Sequence, residues 1–302
     1  MKIWIKAILG ILLIIAGYAI FAFVQVRALE VEKISDDLHV IRGMGGNSTI
    51  LRTDAGAVVI DSMTFTMQGK LIREKVLELT GSEPVLIINT HYHLDHTHGN
   101  PAFNAGTRVV STERTLSHLK VLDADFWVGE AANLLPNETF SDQYTLTIGG
   151  KTLHLMHPGR GHTDGDLVVL IEDEKTMVMG DLFFNHYYPN IDLEAGGSVQ
   201  DWSATLDKVL QADFDIVVPG HGVTSDRLGI HNFQRFIGQL AGIGRSAVAD
   251  DLSLEDVLKS SALSADKNYK SIYFAGIPLG LDREFVLRRA WEESTENFAL
   301  KN

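Results

Sequence analysis

The chain contains no cysteine among its 302 residues. This absence excludes disulfides, thiolate metal sites and cysteine nucleophiles. A cysteine-free chain also suits an oxidising compartment, in which stray thiols are a hazard. The sequence likewise lacks the G-x-S-x-G elbow that presents a nucleophilic serine in many hydrolases. Covalent chemistry of either kind is therefore not indicated.

Basic residues are scarce, because 26 Lys and Arg stand against 39 Asp and Glu and give a formal net charge of −13. A nucleic-acid partner requires a basic surface that neutralises phosphates, so this balance argues against one. Hydrophobic residues make up 45% of the chain and charged residues 22%, as in globular proteins. The sequence shows neither an internal repeat of fixed period nor a low-complexity tract.

One long hydrophobic run lies at the N-terminus. Two lysines precede the uncharged run Ala7–Val24, and Arg27 follows it. About 18 apolar residues after a basic start are typical of a signal peptide or of a membrane anchor. We assign residues 1–28 to this segment, which contacts the membrane if it is not cleaved. The basic start favours a cytoplasmic N-terminus, so residues 29–302 are predicted to be exported, as a periplasmic or membrane-anchored domain outside the cytoplasm.

Short apolar strands and amphipathic helices share the rest of the chain. Brief β-branched or continuous apolar runs predict strands, and apolar residues at helical spacing predict helices. The predicted strands are 38–42, 48–52, 57–60, 85–89, 108–110, the hairpin 144–156, 167–171, 176–179 and 216–218. The predicted helices are 68–79, 113–122 and 201–210, followed by a mostly helical part from about residue 225. This order indicates a layered α/β protein with one core.

Polar residues follow strand-like runs at five places, which are Asp61, His91–His96, His162, Asp181 and His221. A strand anchors the residues at its end and the next loop exposes them, so such positions suit function. The second place is the strongest, because HYHLDH holds three histidines and one aspartate within a six-residue stretch.

The spacing of this stretch predicts a metal site. If the preceding strand continues, His91 and His93 project to the same side and can grip one cation. Asp95 and His96 come from the following turn and can reach a second cation nearby. Zinc prefers nitrogen and oxygen ligands of these types, and catalytic zinc sites keep one position for water.

With these motifs, the sequence resembles the metallo-β-lactamase-fold superfamily of zinc-dependent hydrolases. The resemblance covers roughly residues 34–225 and includes H-x-H-x-D-H, a glycine-flanked histidine and P-G-H-G. It implies a four-layer αββα sandwich with the metal site at one edge, an N-terminal signal or anchor helix and a helical C-terminal extension. It implies two Zn²⁺ ions held by two groups of ligands: His91, His93 and His162; Asp95, His96 and His221. Asp181 would bridge the ions, and Asp61 would orient the site without touching a metal.

The resemblance also implies a mechanism, in which a hydroxide bridging two ions attacks the substrate and Asp95 accepts its proton. Many zinc β-lactamases carry cysteine or serine at the position of Asp181. The aspartate is similar to that of glyoxalase II, lactonases, phosphodiesterases and alkylsulfatases. We therefore expect a hydrolase acting on a small molecule with an ester, thioester, lactone or amide bond, with β-lactams less favoured. The sequence leaves the oligomeric state open.

Two other interpretations stay open. Persulfide dioxygenases of the same superfamily share the H-x-H-x-D-H motif but use a single iron held by two histidines and an aspartate. A membrane-tethered binding module with a relic metal site is the non-catalytic alternative, which the presence of all seven expected ligands disfavours.

Candidate pocket residues lie near the motifs: His98, His186, Phe183 and Tyr187. The neighbouring loops around 63–67, 126–137 and 183–192 contain several aromatic residues, which favours an apolar substrate. Thr163 and Asp166 are expected to bond their own loop to itself.

Overall fold

The computed structural model describes residues 2–296. Met1 and residues 297–302, which belong to the predicted segments 1–28 and 29–302, lie outside the described residues. Two β-sheets pack face to face, and helices cover the outer face of each. The predicted four-layer αββα sandwich is confirmed.

The first sheet has seven strands in chain order. They are β1 (Glu30–Lys33), β2 (Leu38–Gly43), β3 (Gly46–Thr53), β4 (Gly56–Ile60), β5 (Pro84–Ile88), β6 (Arg108–Thr112) and β7 (Glu138–Phe140). Pairing is antiparallel from β1 to β4 and parallel from β4 to β7.

The second sheet has six strands in the order β13-β12-β11-β10-β9-β8. They are β8 (Gln143–Ile148), β9 (Lys151–Met156), β10 (Val168–Ile171), β11 (Thr176–Val178), β12 (Ile216–Val218) and β13 (Ser225–Asp226). The β11–β12 pair is parallel and the other pairs are antiparallel. A separate two-stranded hairpin joins β14 (Tyr273–Phe274) to β15 (Ile277–Pro278).

Eight α-helices lie within the described residues. They are α1 (Lys2–Arg27), α2 (Thr66–Thr80), α3 (Leu94–Thr97), α4 (Glu113–Val121), α5 (Val199–Val209), α6 (Arg227–Ala249), α7 (Leu254–Ser260) and α8 (Arg283–Ser294). Several of these helices have an N-cap side chain that accepts a hydrogen bond from a backbone N–H of the first turn. The caps include Ser198 for α5, Asp226 for α6 and Asp282 for α8.

The core has three layers of buried apolar side chains. Strands with continuous apolar sequences lie between these layers. In β4, Val58 and Ile60 face the second sheet, whereas Val59 faces α2. Side chains alternate between the faces of a strand, so a strand buried on both sides requires apolar residues throughout. A third layer packs the second sheet against α5, α6 and α8 around Trp202 and Phe233.

Helix α1 extends from this sandwich, and its apolar surface is exposed. Over Lys6–Arg27 it has a mean hydropathy of 2.7, and it is the one described helix that is long and apolar enough to cross a membrane. Its last turn is attached to the domain, because Val26 is buried and its carbonyl accepts a hydrogen bond from Gln68 Nε2 at 3.2 Å. The helix is therefore compatible with either a signal or an anchor.

Candidate metal centre

The topology brings the five polar segments to one edge of the sandwich. Parallel pairing places the carboxyl ends of β4 and β5 side by side, and it does the same for β11 and β12. Asp61 and the loop 89–96 follow the first pair, and Asp181 and His221 follow the second. The His162 loop after β9 completes a cluster that draws residues from both sheets.

One group in this cluster contains His91, His93, His162 and Asp181, whose ligand-type atoms all lie within 4.8 Å of one another. His93 Nδ1 and His162 Nε2 are 2.7 Å apart. The other ring nitrogens of these two histidines point outward, to Asp192 and to the carbonyl of Asn190. Two inward imidazole nitrogens this close require a proton or a cation between them, so the geometry suits a metal.

The second group contains Asp95, His96 and His221, again within 4.8 Å of one another. Asp95 Oδ2 lies 3.2 Å from His221 Nε2 and 3.6 Å from His96 Nε2. The Phe184 ring stacks on His221 with an interplanar angle of 7° and fixes the plane of the imidazole. Nitrogen and oxygen donors thus converge on a second point.

Asp181 lies between the two groups. Its Oδ2 is 3.9 Å from His91 Nε2 and 3.6 Å from His162 Nε2. Its Oδ1 is 3.2 Å from His96 Nε2 and 3.4 Å from His221 Nε2. Each carboxylate oxygen therefore faces one group. Gly220 allows this approach, because a β-carbon at that position would collide with Asp181 Oδ1.

Three buried polar atoms in the centre make no hydrogen bond of good geometry: His91 Nε2, His96 Nε2 and Asp181 Oδ1, of which the last two lie 3.2 Å apart. Burying a polar atom without a partner costs about 1–3 kcal/mol. All three belong to the residues that converge between the groups, and a cation would be the missing partner. The residues present therefore fit divalent ions.

Two imidazoles of the first group, His91 and His162, are held in the neutral form that binds metals. Burial, with His96 and His162 nearby, lowers the pKa of His91 well below its usual value. Burial and the neighbouring His93 lower the pKa of His162 to about 4. At neutral pH these two rings carry no proton that a cation would have to displace.

The second group behaves in the opposite way. Burial alone would lower the pKa of His221, but Asp181 and Asp95 overcome it and raise the pKa to about 9. Against the effect of burial, the same carboxylates raise the pKa of His96 well above its usual range. Burial would raise the pKa of Asp181, yet His221 and His96 hold it well below the ordinary value. Without metal, this group is a network of ion pairs.

Asp61 supports the second group from behind. It accepts a hydrogen bond from His96 Nδ1 at 2.8 Å, so Nε2 of that ring faces the cluster. It also accepts from the backbone N–H and hydroxyl of Thr90 at 2.8 and 2.7 Å. Its backbone is left-handed, with φ of 62°, a conformation that costs free energy and recurs at functional sites.

Asp192 supports the first group, and the sequence did not indicate it. Its Oδ2 accepts from His93 Nε2 at 2.9 Å and from the hydroxyl of Tyr92. Burial would raise the pKa of Asp192, but His93 holds it below the ordinary value. Asp192 lies about a hundred positions from His93, so no local spacing could reveal the contact.

The condition that the strand continue through His93 is not met, because strand β5 ends at Ile88 and the chain bends between residues 90 and 92. At this bend Thr90 is bonded to Asp61 through both its N–H and its hydroxyl. His91 and His93 nevertheless converge, the first through Nε2 and the second through Nδ1.

The pocket candidates divide into two pairs. His186 and Tyr187 line a cavity of about 880 Å³ that reaches His221. Phe183 is 1% exposed and packs on Phe233, and it lines a different cavity of about 590 Å³ together with His186. His98 stacks on Phe126 and bonds Asp123 through Nε2 at 2.8 Å, outside the lining of that cavity.

The expected self-bonding of the His162 loop is confirmed. Asp166 accepts from Thr163 N–H at 2.9 Å and from its hydroxyl at 2.5 Å. These bonds fix the loop that carries His162.

Fold and centre together define the class. A family model described as the metallo-beta-lactamase superfamily matches residues 41–221, and the chain belongs to this superfamily. This membership agrees with a metallo-hydrolase-like enzyme and with a His/Asp cluster of the metal-binding type. Residues 222–296, with α6 to α8, lie beyond the match.

Known proteins agree with this membership. A metallo-beta-lactamase type 2 from Bacillus sp. (strain 170) is 26% identical over 184 residues, which is 60% of this chain and 68% of that protein. The solved metallo-beta-lactamase from Pontibacter korlensis is 25% identical with a TM-score of 0.60, over 70% of this chain and 99% of that one. A sec-alkylsulfatase from Pseudomonas sp. shares the fold over 88% of this chain and 50% of its own, at 15% identity and a TM-score of 0.69.

Proposed function

We propose that this protein is a dinuclear zinc hydrolase that cleaves an ester, thioester, lactone or amide bond of a small molecule. The observation that carries the proposal is Asp181, whose two oxygens face different ligand groups. One carboxylate placed in this way suits two ions a short distance apart. A mononuclear iron site would leave the second group without a role.

In this proposal, His91, His93 and His162 would hold one ion, Asp95, His96 and His221 would hold the other, and Asp181 would contact both. Bound divalent ions would supply a water nucleophile that is ionised at neutral pH and would polarise the bond under attack. The protein's own residues orient the ligands, since Asp192 fixes His93 and Asp61 fixes His96.

Asp95 is the proposed proton acceptor. Burial would raise its pKa, but His96 and His221 hold the pKa below the ordinary carboxyl value, so the group is ionised. Among the acidic ligands it is also more accessible than Asp181, which is buried. A carboxylate at this position can take a proton from the attacking water and pass it to the leaving group.

The β-lactamase names of several relatives do not by themselves assign β-lactams to this chain, because Asp181 stands where many zinc β-lactamases carry cysteine or serine. We therefore favour an ester-like or thioester-like substrate over a β-lactam. The cavity beside His221, which Met44 and Ile272 help to line, suits a substrate with an apolar part.

We further propose that residues 1–28 are an anchor or signal and that residues 29–302 act outside the cytoplasm. The exposed apolar surface of α1 supports this placement. Mass spectrometry of the N-terminus of protein from its native host distinguishes a retained anchor from a cleaved signal.

The experiment that tests the proposed function is a metal analysis combined with a hydrolysis screen. Full-length protein in detergent should contain two zinc ions per chain and hydrolyse at least one of lactones, thioesters, carboxylic esters or β-lactams. A chelator should abolish the activity, and zinc should restore it. One iron per chain, with oxygen uptake on a thiol persulfide, would contradict the proposal in favour of a dioxygenase.

A further inference from the structure

The hairpin β14–β15 belongs to a stretch that contains no charged residue. From residue 271 to 281 the sequence reads SIYFAGIPLGL, bounded by Lys270 and Asp282. Tyr273, Ile277 and Leu279 are 56%, 54% and 52% exposed. A hairpin of two-residue strands is only marginally stable in water, and clustered exposed apolar side chains mark an interaction surface.

This hairpin lies against α1. The Tyr18 hydroxyl donates to the carbonyl of Ala275, at the hairpin turn, with a distance of 3.2 Å. Tyr18 precedes Val24, the last residue of the apolar run, by six positions. At 1.5 Å per residue, the turn therefore lies about 9 Å inside the end of that run. If α1 spans a bilayer, the turn lies at the depth reached by interfacial apolar segments, about 5–10 Å.

The same hairpin borders the metal centre. Ile272 and Tyr273 line the cavity of about 880 Å³ that His221 and Asn47 also line. Phe274, the next residue, packs on Phe65 at the start of α2, with ring centroids 5.9 Å apart. The cavity thus extends from the ligands of the second group to the apolar surface beside α1.

A positively charged side chain, that of Lys270, lies where the cavity meets the hairpin. Lys270 is exposed and lines the cavity, and its backbone is fixed because its N–H donates to the carbonyl of His186 at 2.9 Å. A lysine next to an inserted apolar segment can keep its ammonium among lipid phosphates. From the apolar turn of the hairpin through Lys270 to the cavity, the polarity changes as it does in a bilayer. The turn corresponds to the acyl chains, Lys270 to the head groups and the cavity to water.

From these contacts, we infer that the hairpin 272–279 inserts into the bilayer surface beside α1 and that the cavity takes a membrane-resident amphiphile. The acyl part would enter along Ile272 and Tyr273, and the hydrolysable bond would lie at the centre. The occupant of the apolar surface is thus a lipid bilayer. The substrate part of this inference rests on the proposed hydrolase function, whereas the insertion part does not.

Insertion can be measured without any activity, because a cysteine-free chain accepts a single labelled thiol. The full chain with Ile277→Cys, labelled with a nitrobenzoxadiazole dye, is reconstituted in phosphatidylethanolamine and phosphatidylglycerol vesicles. We expect doxyl-labelled lipids to quench the dye several-fold. The control is Val248→Cys on α6, and Val248 is 52% exposed in the parent chain. Val248 lies about 18 Å along α6 from Phe236, whose ring stacks on Tyr269 just before the hairpin stretch.

Equal quenching at both positions, or none at Ile277, would overturn the insertion. Efficient disulfide cross-linking of two Ile277→Cys chains would overturn it as well, since it would assign the surface to a second copy of the protein.

Delivery of the substrate has its own test. In the same vesicles, the double variant Ile277→Asp/Leu279→Asp should hydrolyse embedded 4-nitrophenyl palmitate about tenfold more slowly. Hydrolysis of water-soluble 4-nitrophenyl acetate should stay within twofold, as should both reactions in Val248→Asp. An equal loss on both esters would overturn the delivery route. If the unchanged chain cleaved neither ester, the ester activity under the proposed function would fail, while dye quenching would still decide the insertion.

Discussion

The two ligand groups are similar in composition but differ in protonation and in what lies behind them. His91 and His162 have lowered pKa values, whereas His96 and His221 have raised ones. The cause is the distribution of carboxylates, because Asp95 adds a negative charge to the second group and Asp181 faces it with Oδ1 at shorter distances. Two sites built from nearly the same residue types can thus respond differently to pH and to metal supply.

The largest effect should come from the residue that the groups share. Asp181→Ala should remove the second ion, weaken the first and lower kcat/KM by more than the roughly 10–100-fold typical of a supporting residue. Metal content by mass spectrometry and kcat/KM of the purified variant check this. Two tightly bound ions and full activity would show that Asp181 does not bridge.

The pH dependence should separate the groups. Because His96 and His221 both have raised pKa values without metal, an ion at the second group must displace a proton from each ring. Its affinity should rise by more than tenfold per pH unit below pH 9, so by more than 100-fold from pH 6 to 8. The first group should be flatter, because the pKa of His162 is about 4.

Zinc titrations of single-group variants measure these slopes. His162→Ala impairs the first group and should give the steep dependence, whereas Asp95→Ala impairs the second and should give the shallower one. Equal slopes would contradict the protonation difference between the groups.

The supporting carboxylates should each act on their own group. Asp192→Asn should weaken the ion at His93, and Asp61→Asn the ion at His96, by about 10–100-fold in affinity. Asparagine keeps the size of each side chain and tolerates the left-handed backbone of Asp61. Competition with a chromogenic chelator reports both affinities, and loss of the same ion in both variants would refute separate support.

The smallest effect is expected from Tyr92, whose hydroxyl bonds the supporting carboxylate Asp192 rather than a ligand of the centre. Tyr92→Phe removes the hydroxyl that donates to Asp192. A hydrogen bond to a charged group contributes about 1.5–3 kcal/mol, and only part of that reaches the metal through His93, so we expect a loss of about fivefold in affinity for the first ion. The same chelator competition measures it, with no change expected at the second ion.

The layers of the fold were predictable because burial on both faces leaves a mark in the sequence. Val58, Val59 and Ile60 had to be apolar together, which predicted the strand that the structure contains. Strand β1 was not predicted, since the charged residues of Glu30–Lys33 occupy a sheet edge. The β14–β15 hairpin was not predicted either, because two-residue strands are too short for a periodic pattern.

For the centre, the sequence predicted the residues that converge but not how they are held. H-x-H-x-D-H is local, so spacing was informative. The contacts that orient it are not local, since Asp192 bonds His93 from about a hundred positions away, and Asp61 bonds Thr90 where the chain bends after β5. The pocket role of Phe183 stays a prediction, because an aromatic residue beside a motif can face the core as readily as the pocket.

The cluster draws His91 and His96 from a loop of one sheet, and His162, Asp181 and His221 from loops of the other. A bound ion would therefore be a cross-link between the halves of the sandwich, comparable to a disulfide that a cysteine-free chain cannot form. An ion present at 100 times its dissociation constant adds about 2.7 kcal/mol to the free energy of unfolding. The resistance of this protein to heat would then depend on the metal content of its surroundings as well as on its sequence.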